Sequence, residues 1–110
     1  MKEIPFACNM SAIAPSMREK HIEKIKEVFQ AVSEINELTN GFTFILPNES
    51  SLLFSLMTFI EKERLCCPFF KFRIEIEPEK NVSLIISGSD GIKGFIKGEF
   101  GNYTIENLSW

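Results

Sequence analysis

Between positions 70 and 77 apolar and charged side chains alternate without a break. Phe70, Phe72, Ile74 and Ile76 interleave with Lys71, Arg73, Glu75 and Glu77. Successive side chains of a strand point to opposite faces, so this segment reads as a strand with one dry and one wet face. Such a strand demands a sheet covered on one side only. Other segments obey the same rule. Phe42, Phe44 and Leu46 share one face of a strand that Pro47 closes. Residues 34–38 form a weaker strand before it, and Val82 to Ile86 form a partner strand after the 70–77 run. Ile4, Phe6 and Cys8 alternate with Pro5 and Ala7, which predicts a short first strand over 4–8.

Between these strands the period changes to that of a helix. Ile22, Ile25, Phe29 and Val32 mark a first helix, with Ser16 and Glu19 as its capping box. Leu53, Leu56, Met57 and Ile60 mark a second, capped by Asn48 or Ser50 and stopped by Pro68. Ile92, Phe95 and Ile96 mark a third, capped by Ser89 or Asp90. The order of the first six elements matches a split βαβ arrangement. The predicted fold class is therefore α+β: a ferredoxin-like antiparallel sheet with two helices on one face, extended by a C-terminal strand and helix. With 110 residues and no linker or repeat, residues 1–110 read as a single domain. Hydrophobic residues make up 45%, enough to exclude disorder as the main state. Asn40-Gly41 reads as a type I′ hairpin turn, which needs positive φ at both central residues.

Formal net charge is −3 and neither half of the chain is basic. That argues against nucleic-acid partners and against anionic membranes. No apolar run approaches the roughly 20 residues of a membrane span. Residues Met1 to Pro5 carry no signal-peptide core, so a cytoplasmic protein is expected, with Cys8, Cys66 and Cys67 reduced.

Chemistry concentrates at Glu63-Arg64-Leu65-Cys66-Cys67-Pro68-Phe69-Phe70. On a helix Glu63 neighbours both Cys66 and Cys67, three and four residues on. Two thiols beside a carboxylate suit a soft ion such as Hg(II), Cu(I) or As(III). Zinc is less expected, because a closed zinc site wants four ligands and no CxxC pair is present. Cys8 and His21 are the second candidate, as two metal ligands or as a nucleophile and its base. Residue types alone favour packing at both places, since buried cysteine is common. The expected topology also puts Cys8 and His21 near one end of the sheet and Cys66 and Cys67 near the other, so one monomer should not gather all three thiols. The Ser87–Gly94 stretch is only loosely like a phosphate loop and reads as a turn with a helix cap.

The Glu63–Phe69 motif is similar to that of a family of small prokaryotic proteins with an E-R-x-C-C-P-F signature. Cys8-Asn9-Met10-Ser11-Ala12, Leu38–Phe42 and Ser87–Lys93 carry the resemblance over most of residues 6–97. That family is associated with the neighbourhoods of heavy-metal resistance genes. The resemblance implies soft-metal or metalloid binding, with Cys8, Glu63, Cys66 and Cys67 in its recognisable segments. Three readings follow: a thiol protein that captures or senses a soft ion, a ferredoxin-like module that homodimerises through its sheet with purely structural cysteines, or a small thiol-dependent enzyme using Cys8 and His21.

Overall fold

The computed structural model describes residues 6–105 and 108–110. Four strands, β1 (Glu34–Leu38), β2 (Gly41–Leu46), β3 (Lys71–Glu75) and β4 (Val82–Ser87), form one antiparallel sheet in the order β1-β2-β4-β3. Three helices accompany it: α1 (Pro15–Gln30), α2 (Ser50–Cys66) and α3 (Ile92–Phe100). The α+β class and the one-sided sheet are as expected, but the strand order is not. The strand expected to extend the sheet at its edge, β4, lies inside it, paired with β2 and β3. Its composition explains this position. Leu84, Ile85 and Ile86 are consecutive apolar residues, all buried, as an inner strand requires.

Among the described residues the predicted first strand is not formed. Ile4 and Pro5 lie outside the described residues, and Phe6 to Asn9 have no regular structure. Asn9 instead caps a short 3-10 turn, Met10–Ala12, with its side chain accepting the Ser11 N–H.

Cross-strand register places Phe42 opposite Ile86, Phe44 opposite Leu84 and Leu46 opposite Val82. These residues share one face and form a core with all three helices: Ile25, Val28 and Phe29 from α1, Leu56 and Phe59 from α2, and Ile92, Ile96 and Phe100 from α3. Aromatic contacts knit the layers. Phe29 stacks on Phe100 at 4.3 Å and meets Phe44 and Phe59 edge-on. The other sheet face carries Thr43, Ile45, Ile85, Arg73 and Glu75, of which Ile85 is buried and Glu75 exposed.

Several boundary expectations change. Helix α1 starts at Pro15 rather than behind a Ser16 cap, using the fixed φ of proline at its first turn. Neither α2 nor α3 has a side-chain cap; α3 is preceded by Gly91, whose φ of 90° favours a glycine. The buried stripe of α2 is Leu56, Phe59, Glu63 and Cys66. Met57, expected on that stripe, is 53% exposed. The hairpin turn also differs. Its central residues are Thr39 and Asn40, and neither has positive φ, so it is not type I′. Gly41 is the first residue of β2, paired with both Leu38 and Ser87.

Candidate metal centre

Helices α1 and α2 pack antiparallel. His21, early in α1, meets Glu63, late in α2, while Glu27 further along α1 accepts from Ser55 early in α2. This pairing overturns the expectation that Cys8 and His21 lie at the opposite end of the sheet from Cys66 and Cys67. The start of α1 and the end of α2 are neighbours.

The segment before α1 completes the convergence. The last carbonyls of a helix lack intrahelical partners. Here the Asn9 N–H donates to the Cys66 carbonyl at 2.9 Å. The Phe6 ring packs on Phe69 and Phe95, with centroids 5.1 and 6.1 Å away. Arg18 donates to the carbonyls of Met10 and Ile13. Residues 6–13 are thereby strapped across the end of α2, and Cys8 is delivered to Cys67.

Four side chains result with ligand atoms all within 4.8 Å of one another: Cys8, Glu63, Cys67 and Glu99. Glu63 and Cys67 are fully buried, while Cys8 and Glu99 are half-buried. Cys67 can join because it has left the helix. Pro68 disfavours helical geometry at the residue before it, and Cys67 sits at φ −128°, ψ 72°. Its thiol donates to Glu63 Oε2 at 3.4 Å. The other carboxyl oxygen, Oε1, is 2.7 Å from His21 Nε2. His21 thus holds the carboxylate rather than the thiols, and the Cys8–His21 pair of a nucleophile and its base is not formed. Its ring stacks on Phe59, and its Nδ1 is buried without a partner among the described residues.

The vicinal pair does not act as a pair. Cys66 is still helical, its buried thiol 3.8 Å from Met10 Sδ and beside Cys8. It is not one of the four converging residues. Glu99 is one of them and was not expected. As Lys97-Gly98-Glu99 it reads as part of a solvated helix surface. Its signal was its spacing: it follows Ile96 by three residues and Ile92 by seven, on the edge of the buried stripe of α3.

Burial and crowding favour the protonated forms. Burial is the main cause that pushes the Cys66 thiol up to about 12, and Cys8 and Glu63 add to it. The neighbouring Cys8 thiol is the largest cause raising Cys67 well above the ordinary thiol value, followed by burial and the Glu63 charge. Glu99 is held above the usual carboxylate range by burial and then by Glu63. Without a cation, these groups oppose one another's ionisation.

The His21–Glu63 contact can be tested directly. His21→Leu is expected to lower stability by roughly 2–3 kcal/mol, because it strands a buried carboxyl oxygen. Adding Glu63→Leu should restore most of that loss. Urea denaturation of both variants measures this, and equal destabilisation in the double variant would show that the contact is unimportant.

No family model, curated protein or solved structure matches this chain.

Proposed function

We propose that this protein binds a thiophilic metal or metalloid ion between Cys8 and Cys67, with Glu63 and Glu99 completing the ligand set. The observation that carries this reading is the convergence of four donor groups within 4.8 Å. They come from three separate parts of the chain: the strap before α1, the end of α2, and α3. Packing alone gives no reason to set a buried Glu63 and a half-buried Glu99 against two thiols, since polar groups taken out of water are costly unless compensated. Thiolates give the site its preference for soft ions such as Hg(II). Four donors also remove the shortage of ligands that counted against zinc, which belongs in the same titration. His21 supports the site from behind by fixing one oxygen of Glu63, the usual role of a group one step from the metal. The alternative is a module that dimerises through its sheet and keeps purely structural cysteines; the exposed and half-buried residues on the second sheet face, Thr43, Ile45, Arg73 and Glu75, are its support.

Ligand thiols must lose their protons to bind, so each positive charge brought in displaces one. The buried site then stays close to neutral. Because Cys67 titrates well above neutrality, binding at pH 7 should release at least one proton per ion. Affinity should rise about tenfold per pH unit for each proton released. Calorimetric titration of the reduced protein with Hg(II), Cu(I) and Zn(II), in two buffers of different ionisation enthalpy, counts the protons directly. Saturable one-to-one binding with proton release supports the proposal. No saturable uptake of any of these ions overturns it.

A further inference from the structure

Beside the thiols lies more space than an ion needs. A half-enclosed cavity of about 250 Å³ is lined by Cys8, Met10, Ile22, Ile25, Glu99 and Tyr103. Two of these residues belong to the converging ligands. The other four present mainly hydrocarbon, sulfur and an aromatic ring. A bare ion held by buried donors has no use for such walls, and ordered water wants two to four polar partners for each molecule. An apolar organic group suits them better: a cavity of roughly 150 Å³ with apolar walls is enough for benzene.

We infer that the ligand is a thiophilic cation already carrying one organic substituent, an alkyl or aryl mercury(II) species, with its metal on the Cys8 thiolate and its organic group in this cavity. The inference rests on the reading of Cys8 and Cys67 as the ion site and specifies what that site takes. Cys8 is both a converging ligand and a wall of the cavity, so a substituent on the bound metal points directly into it. In the binding step the bond from mercury to its leaving anion breaks and a mercury–sulfur bond forms. The thiol proton departs with the anion. The carbon–mercury bond is untouched, and no electron changes hands. A monocation bound by one thiolate is neutral overall, which suits a buried site better than an added net charge.

The test uses the full-length reduced protein and competition against glutathione, which cancels the intrinsic preference of each probe for any thiol. The probes are methylmercury, ethylmercury, phenylmercury and inorganic Hg(II). Affinity relative to glutathione should rise at least about tenfold from methyl to phenyl, because the larger group buries more apolar surface. Ile22→Trp fills the cavity from a partly exposed helix position that is not among the converging ligands. It should abolish that rise while leaving Hg(II) affinity within about twofold, since no ligand is removed. A flat series on the parent protein, or a rise that survives in Ile22→Trp, overturns the inference while Hg(II) binding keeps the ion site standing. If the parent fails to bind Hg(II) as well, the ion site falls too. The parent series alone decides the matter should Ile22→Trp not fold.

Discussion

Gly41→Val is expected to lower stability by about 4 kcal/mol or more, enough to unfold a large share of the protein. A Cβ at this position would lie 2.2 Å from the Ile86 carbonyl oxygen and 2.8 Å from both Cα and Cβ of Ser87. Two of these atoms are backbone of the inner strand β4, so no side chain can swing aside to make room. The β2–β4 ladder must part instead, at the junction where the hairpin joins the centre of the sheet. Close approach causes the loss, not a left-handed turn. Gly41→Ala should therefore be damaging as well, although alanine has no β-branch. Gly94→Ala is the matched control. Nothing lies within 4 Å of its added methyl, and a helix interior gains up to about 1 kcal/mol from the exchange. Thermal and denaturant unfolding of the three variants check this. A Gly41→Val protein as stable as the parent would mean that β2 and β4 are not in contact there.

Cys8→Ser and Cys67→Ser should each weaken Hg(II) binding at least about a hundredfold, because a hydroxyl is neither soft nor ionised at neutral pH. The two thiolates act as a chelate, so losing either forfeits the high local concentration of the second ligand. Cys66→Ser should leave affinity within a few-fold. Cys66 is next to Cys67 in sequence, but its thiol contacts Met10 and is not one of the four converging donors. The comparison separates two arrangements of the same three cysteines. In a vicinal chelate at the helix end, Cys66→Ser and Cys67→Ser would be equally harmful and Cys8→Ser neutral. In the converged site, Cys8 and Cys67 fall together. Circular dichroism precedes the titrations, because serine at the fully buried Cys66 or Cys67 costs stability independently of any ion.

Alternation revealed β2 and β3 reliably, and helical spacing located all three helices, because each pattern depends on one element and one buried face. Partners are a different matter. The pattern of Phe6 and Cys8 is equally consistent with a strand and with an extended strap, and only the orphan carbonyls of α2 decide between them. Helix α2 is apolar nearly all round at Leu52 to Ile60, so several stripes fit. The true one contains Glu63, a residue that a search for apolar positions passes over. Glu63 and Cys67 were legible as neighbours because i, i+4 geometry is local. Their meeting with Cys8 and Glu99 was not, since it depends on the antiparallel pairing of α1 with α2 and on where α3 docks.

The strap has a kinetic consequence. Three of the four donors sit on or at the end of helices, whereas Cys8 belongs to a stretch without regular structure, tied down by the Asn9 N–H to Cys66 and by the Phe6 ring on Phe69 and Phe95. Segments outside helices and sheets open more often than the whole protein unfolds. The escape of a captured ion then requires only that residues 6–9 lift, with the sheet and helices intact. By linkage the ion also resists that lifting, in proportion to its excess over the dissociation constant. Residence time and the hydrogen-exchange rate of the Asn9 amide become two readings of one local equilibrium. Saturating the site should slow that amide's exchange selectively, well before any change is seen at the centre of β4.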